Sequence, residues 1–373
     1  MRVFVVGGAV RDLLLGRPAR ERDFVFLGGE DEFRAAHPSA RTAGQAFRVF
    51  LVDGVEYAPA RGNDIHEDLA ARDLTVNALA LDREGRLYAH PRAVEDLQRR
   101  VLRPASDTAM ADDPLRVLRA ARFAAQLPEF VLHDDLAAAM RAAADQGLLR
   151  GVIPERAGTE LRKALTGPRP GRFVLELDRA GCLEPWLAEL AGAGDIPAGP
   201  SAFHDRSVLG HTAAVMDRLA GDPLAAYMGL CHDLGKAATD PGILPHHYGH
   251  ERRGEAAARA LGERLRLPAR WIRAGAAAAR LHMKAGNYPE LRPGTRVDLL
   301  AELHAPGLCR RMFALARADH GEDHWPLARQ DLERMLAVEL PPQDRDQGPA
   351  SGEKLRMLRA QALAETRRQG DSP

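Results

Sequence analysis

Two acidic residues one position apart, Glu21 and Asp23, are the first side chains whose types and spacing suggest chemistry. On an extended backbone, residues i and i+2 face one side, so both carboxylates point together while Arg22 points away. Paired carboxylates repel unless a cation neutralises them, and Mg²⁺ is held by one or two carboxylates together with the phosphates of a substrate. Ahead of them, Gly7-Gly8-Ala9-Val10-Arg11-Asp12 follows a β-branched stretch and opens a helical one. Two glycines let backbone N–H groups approach a phosphate with no Cβ in the way, and Arg11 adds a cationic fork. Taken singly, the acids also read as a solvated strand end and the glycines as a steric need of a tight turn. Side by side they favour a metal-assisted phosphate site.

A second set lies far downstream. Adjacent His232 and Asp233 sit in the helical run Leu230-Cys231-His232-Asp233-Leu234-Gly235-Lys236, with His211 before it and Asp319-His320-Gly321 after it. Ten of the fourteen histidines fall between His204 and His324, a concentration that uniform scattering would not give. Imidazole and carboxylate together suit a divalent transition metal. Such a metal would polarise a phosphate and activate water. In His246-His247-Tyr248-Gly249-His250, His250 is the stronger candidate for a further ligand, because it opens a Gly-His-Glu helix start.

The elements that must position these groups change type along the chain. Val3 to Val6 and Asp23 to Leu27 read as strands around a helical Ala9 to Leu15, and Val49 to Val52 and Val55 to Tyr57 flank Asp53-Gly54, a two-residue hairpin signal. From Asp112 to Leu190 the β signal disappears and apolar residues recur at helical spacing, as in Leu115, Leu118, Ala121 and Phe123. Residues 191–201 are rich in Gly and Pro and read as a linker. The expected class is α+β: a small mixed-sheet head over 1–103, a helical neck and body over 104–200, an all-α domain over 201–340 and a polar tail over 341–373.

At 373 residues, two or three domains are expected. With 52 basic and 52 acidic residues the formal charge is zero, so a polyanion site must be local rather than a global field. Lysine occurs only at Lys163, Lys236, Lys284 and Lys354; the arginine excess suits bidentate phosphate contacts, and GC-rich codon usage gives the same bias. Three separated cysteines, Cys182, Cys231 and Cys309, fit a reducing cytosol and no structural disulfide. Arg11 and Asp12 interrupt the apolar opening and no run approaches the ~18 apolar residues of a membrane span, so a soluble cytoplasmic protein is expected.

Gly7-Gly8-Ala9-Val10-Arg11-Asp12 with Glu21/Asp23 resembles the head of the class II tRNA nucleotidyltransferases, the bacterial CCA-adding enzymes and poly(A) polymerases. Arg72-Asp73-Leu74-Thr75-Val76-Asn77-Ala78 resembles the family's Arg-Asp-Leu-Thr-x-Asn-Ala signature. Asp112 to Phe123 resembles its Glu-Asp-x-x-Arg helix. The resemblance implies that a tRNA 3′-hydroxyl attacks the α-phosphate of CTP or ATP, with Glu21 and Asp23 holding Mg²⁺. It implies that Gly8, Arg11, Arg72, Arg119 and Arg122 contact the nucleotide. Asp113 and Arg116, three apart and expected on one helix, have a logic of their own. A carboxylate accepts the amino group of C or A while a guanidinium donates to the neighbouring ring nitrogen; U and G present a carbonyl instead.

His-x(20)-His-Asp with a later Asp resembles the HD phosphohydrolases, whose pattern makes His211, His232, Asp233 and Asp319 the metal ligands. A class II head joined to an HD domain resembles the bacterial CCA-adding enzymes that also hydrolyse 2′,3′-cyclic phosphates, 2′-nucleotides and phosphomonoesters. Nickel is the metal that family favours. Partners implied are tRNA, CTP and ATP, with no membrane; a homodimer is compatible.

The sequence departs from the pattern twice. Glu21 stands where relatives carry Asp, and the stretch between Arg61 and Asp64 is short where they carry a longer loop. That loop takes part in the switch from CTP to ATP, and enzymes adding only two cytidines lack it. CC-only addition is therefore an alternative expectation. A degenerate RNA-binding head beside an active HD site is another, opposed by the retention of Asp23, Arg72, Asp113 and Arg116.

Overall fold

The computed structural model describes residues 1–19, 22–43, 49–201 and 205–370. Two compact units form, one from Met1–Val152 with Arg179–Cys182 and one from Ile153–Asp178 with Leu183–Pro373. They cross the four functional segments expected from sequence, because residues 153–178 and 183–200 pack with the helices that follow them.

The first unit is built on a mixed sheet of β1 (Arg2–Val6), β2 (Asp23–Leu27), β3 (Arg41–Ala43), β4 (Val49–Val52), β5 (Val55–Pro59), β6 (Leu79–Leu81) and β7 (Leu87–Ala89). The order is β3-β4-β5-β2-β1-β6-β7, and β2–β5 is its parallel pair. Asp53 and Gly54 both take positive φ, 49° and 80°, as the tight β4–β5 hairpin requires. Helices α1 (Gly8–Leu14), α2 (Glu30–Ala36), α3 (Ile65–Ala70) and α4 (Ala93–Arg99) cover the sheet. Alternation along the strands gives it two apolar faces. Phe4, Val6 and Val25 meet Ile65 and Leu69 of α3 on one, and Phe26 and Phe50 meet Phe33 of α2 on the other.

Helices α5 (Ala109–Asp112), α6 (Leu115–Gln126) and α7 (Asp134–Asp145) complete the unit. One difference from the all-helical expectation is a short parallel pair, β8 (Val101–Leu102) with β9 (Val131–Leu132). Two residues carry no detectable period, which is why this pairing was not legible beforehand.

The second unit is helical: α8 (Pro154–Ala164), α9 (Gly171–Arg179, its last residue in the first unit), α10 (Val208–Arg218), α11 (Pro223–Cys231), α12 (His250–Arg264), α13 (Ala269–Gly286), α14 (Pro293–His304), α15 (Cys309–His320), α16 (Trp325–Ala337) and α17 (Pro349–Gly370). Asp222 caps α11 by accepting from the N–H groups of Leu224 and Ala225, and Pro223 takes the first helical position. Every residue of α11 from Leu224 to Cys231 is buried, which makes it the central helix. The tail is not wholly polar fringe, since α17 packs on α14 and α16.

The expected linker at 191–201 is part of this packing. Ala193 and Ala198 are buried, and the Ala198 and Pro197 carbonyls accept hydrogen bonds from Lys236 Nζ and His247 Nε2, at 2.9 and 2.8 Å. Glycine and proline there shape a backbone that serves buried donors, which composition cannot distinguish from a free tether. No helix among the described residues is long and apolar enough to cross a membrane. The three cysteines are free and buried.

Candidate active sites

Asp23 opens β2, exposed, with Val6 as its antiparallel neighbour on β1. Val6 directly precedes Gly7, so the strand pairing sets Asp23 beside the glycine turn. Glu21 lies outside the described residues. The parallel register places Glu56 of β5 opposite Asp23, both exposed and on the same sheet face. Sequence reasoning missed Glu56, because the hairpin signal marks β5 but not its partner across the sheet.

Gly7 has φ +70°, and a Cβ there would stand 3.1 Å from Nη1 of Arg72. The turn therefore needs glycine both for its backbone and for the guanidinium against it. Arg72 donates through Nε and Nη2 to Asp68 Oδ2 at 3.0 and 2.8 Å, fixing its fork. Buried Arg11 donates to Asn77 Oδ1 at 2.7 Å and pairs with Asp12. Asn77 in turn donates to Asp73 Oδ1 at 3.1 Å, and Arg119 grips Asp73 Oδ2 through Nε and Nη2 at 2.8 and 2.5 Å. Burial alone would raise the Asp73 carboxyl, but Arg119 and the donors from Asn77 and the Leu74 N–H hold it well below the usual range. The signature stretch is thus a buried bracket joining Arg11 to Arg119.

Arg116, Arg119 and Arg122 recur every three residues of α6, so one side of it is cationic. Arg122 lies 3.9 Å over the Phe123 ring and donates to Gln126. Arg116 donates to the carbonyls of Ala71, Arg72 and Ala109, at 2.7, 3.3 and 3.1 Å. Burial, with Arg61 nearby, lowers its pKa from the usual arginine value. Gly7, Arg72 and Arg116 therefore form a continuous series of contacts.

The expectation that Asp113 and Arg116 share a helix is corrected. Asp113 has extended backbone, φ −143° and ψ 97°, and α6 begins at Leu115. Pro114 is the reason, since the residue before proline is forced out of the α region. Asp113 still binds the helix start: its carbonyl accepts from the Arg116 N–H at 2.9 Å and its carboxylate from the Leu115 N–H at 3.2 Å.

In the second unit, four helices and the turn after α11 converge around Asp233. His211 comes from α10, His232 and Asp233 from the turn directly after α11, His250 from the first residue of α12, His282 from α13 and Asp319 from α15. A Cβ at Gly235 would fall 1.9 Å from the His250 carbonyl, so glycine after the His-Asp pair is what lets α12 start so close. His211 Nε2 stands 2.9 Å from Asp319 Oδ1 and 3.6 Å from Asp233 Oδ2, and His232 Nε2 is 3.2 Å from the latter. On the other side, His250 and His282 each bring Nε2 to 3.6 Å from Asp233 Oδ1.

His232, His250 and His282 all donate Nδ1–H to backbone carbonyls, of Gly229, His247, and Ala278 and Ala279. A carbonyl only accepts, so each ring presents Nε2 inward, the orientation a metal ligand needs. Both Asp233 oxygens are buried without a hydrogen bond, although the Lys236 ammonium lies 2.8 Å from Oδ2. Such orphaned acceptors, with Nε2 atoms only 3.3 Å apart for His211/His232 and 3.4 Å for His250/His282, fit a cation between them. The donor atoms form two groups sharing Asp233: His211/His232/Asp233 and Asp233/His250/His282. Burial opposes charge on His232, but Asp233 and Asp319 outweigh it and push the ring up to about 9. Burial dominates at His282 and brings it down to about 4. Burial would raise Asp233 and Asp319 too, but the histidines hold both carboxyls low, with Lys236 adding to the effect at Asp233.

His282 was missed from sequence. It stands alone in no motif, and its signal is indirect: Gly275, Ala278, Ala279 and His282 line one buried helical face of α13.

Relatives cover nearly the whole chain. It is 37% identical over 98% of its length to the multifunctional CCA protein of Xanthomonas campestris pv. campestris strain B100, 99% of which is covered. The chain belongs to the multifunctional CCA protein family. The Methylococcus capsulatus multifunctional CCA protein is also 37% identical, over 98% of this chain and 95% of its own. Residues 129–193 match the family described as "Probable RNA and SrmB- binding site of polymerase A". The family's fold recurs in the Bacillus stearothermophilus CCA-adding enzyme in complex with CTP, TM-score 0.65 and 24% identity over 97% of this chain and 89% of that one. It recurs also in the Thermotoga maritima CCA-adding enzyme complexed with tRNA, TM-score 0.62 and 17% identity over 98% and 91%.

Proposed function

We infer that this chain adds CCA to the 3′ end of tRNA from CTP and ATP without a nucleic-acid template, and hydrolyses phosphate esters at a separate histidine–aspartate site. The observation carrying this reading is membership of the multifunctional CCA proteins along the full chain. The packed series Asp23, Gly7 turn, Arg72, Arg116 supports it. The tRNA 3′-O–H bonds to the α-phosphorus, the bond to pyrophosphate breaks and the hydroxyl proton is released. Mg²⁺ held by Glu21 and Asp23 would neutralise the triphosphate and stabilise the attacking and leaving oxygens. Gly8 leaves room for the phosphates, while Arg11, Arg72, Arg119 and Arg122 contact the nucleotide, several of them at its phosphates. Asp113 and Arg116 discriminate the base.

At the second site, His211, His232, Asp233 and Asp319 would hold a divalent transition metal, Ni²⁺ by family preference, which would polarise the phosphate and activate water. Buried Lys236 stands ready to steady the anionic ester. The functional segments we propose are 1–103 for nucleotidyl transfer, 104–200 for templating and tRNA grip, 201–340 for hydrolysis and 341–373 as the tail. The protein acts in the cytoplasm.

A second reading, addition that stops after two cytidines, has one observation behind it. Only Ala60–Asp64 join β5 to α3, held by Asp64 capping α3 and by Glu67 accepting from the Asn63 N–H at 2.7 Å. Incubating the protein with CTP and ATP, singly and together, on tRNA ending before CCA, and sequencing the products decides between them. Full CCA ends support the first reading and uniform CC ends the second; no extension removes both.

A further inference from the structure

We propose that Tyr248, backed by His246, is a nucleobase platform beside the histidine–aspartate site, and that it makes this site prefer nucleotide ends over other phosphate esters. The proposal rests on the hydrolytic reading above.

Tyr248 is 71% exposed, the most exposed large apolar side chain among the described residues. Its ring lies nearly parallel to His246, centroids 5.6 Å apart and planes 11° off. Flat π-faces presented to solvent in this way suit stacking by a base, which every nucleotide offers regardless of identity.

The segment carrying the pair is fixed rather than loose. Its central residue, buried His247, accepts at Nδ1 from Thr239 Oγ1 at 2.8 Å and donates from Nε2 to the Pro197 carbonyl at 2.8 Å. Arg253 Nη1 donates to the Tyr248 carbonyl at 2.9 Å and its Nη2 to Thr239 at 3.2 Å. The backbone that carries the pair is therefore held before a ligand arrives, which spares the entropy a mobile loop would lose.

Position supplies the link to the chemistry. Only Gly249, in the left-handed region at φ +71°, separates Tyr248 from His250, whose Nε2 faces Asp233. The two Cα atoms are then at most ~7 Å apart. A phosphate on the 2′- or 3′-oxygen is one ribose away from its base, so a base on Tyr248 brings that ester to the ligand cluster. A free base-less ester gains nothing from the platform.

The test uses the metal-loaded full chain with Tyr248→Ala and Tyr248→Phe. The ratio of kcat/KM for 2′,3′-cyclic AMP to that for glycerol 2-phosphate should fall about 10-fold in Y248A, through KM, and stay near wild type in Y248F. Retained turnover of glycerol 2-phosphate by Y248A reports an intact hydrolytic site. Separately, nitration of Tyr248 by tetranitromethane, read by peptide mass spectrometry, should be blocked by 2′-AMP and not by inorganic phosphate. An unchanged ratio in Y248A, or nitration indifferent to 2′-AMP, overturns the platform. If the wild type hydrolyses neither ester with any divalent metal while 2′-AMP still protects, the hydrolytic reading fails and the base-binding surface stands.

Discussion

Single side chains carry predictions that separate the two chemistries. Replacing Asp23 by Ala should lower nucleotide incorporation by roughly 100-fold or more, as loss of one electrostatic element of an active site does, and leave ester hydrolysis intact. A gel assay of CMP addition beside a phosphate-release assay checks both. Replacing His282 by Ala should weaken transition-metal retention and hydrolysis by about 10- to 100-fold while incorporation persists; metal analysis after gel filtration reads the first. Asp73 bears on stability. Its folded pKa is depressed, so its contribution is complete above the unfolded carboxyl value near pH 4 and is lost progressively as pH falls from there through the much lower folded value. Asp73→Asn should cost about 2 kcal/mol at pH 7, and the gap from wild type should narrow, without closing, at pH 3; urea melts at both pH values measure it.

At the scale of elements, what matters is where the backbone is forced. Pro114 ejects Asp113 from α6, and Gly7 leaves space for Arg72. Gly7→Ala should therefore raise the KM for both CTP and ATP and cost about 1–3 kcal/mol of stability from the positive-φ backbone alone. Nucleotide titrations and thermal melts report the two effects; a variant with wild-type KM would remove the turn from the nucleotide site. Hairpin, strand and helix types were readable because Asp-Gly turns and apolar periods are local signals. The packed 191–201 stretch was not readable, because the donors that occupy its carbonyls, Lys236 and His247, are 38 and 50 residues away.

Across the whole molecule, the proposal of Mg²⁺ at one site and a transition metal at the other predicts a clean dissection by chelation. Stripping the protein with EDTA should abolish both activities. Mg²⁺ alone should restore incorporation, and Ni²⁺ or Co²⁺ should be needed for hydrolysis, as parallel assays on one preparation show. Local patterns along the chain were enough for the class of fold, the glycine turn, the arginine-bearing signature and the adjacent His-Asp pair. Each is a short-range pattern whose residues are neighbours along the chain. Tertiary structure alone decided that Glu56 faces Asp23, that Asp73 and Asn77 tie Arg11 to Arg119, and that His282 joins His250 on the far side of Asp233. Strand register and helix packing bring these groups together from positions tens of residues apart, and no local period records that meeting.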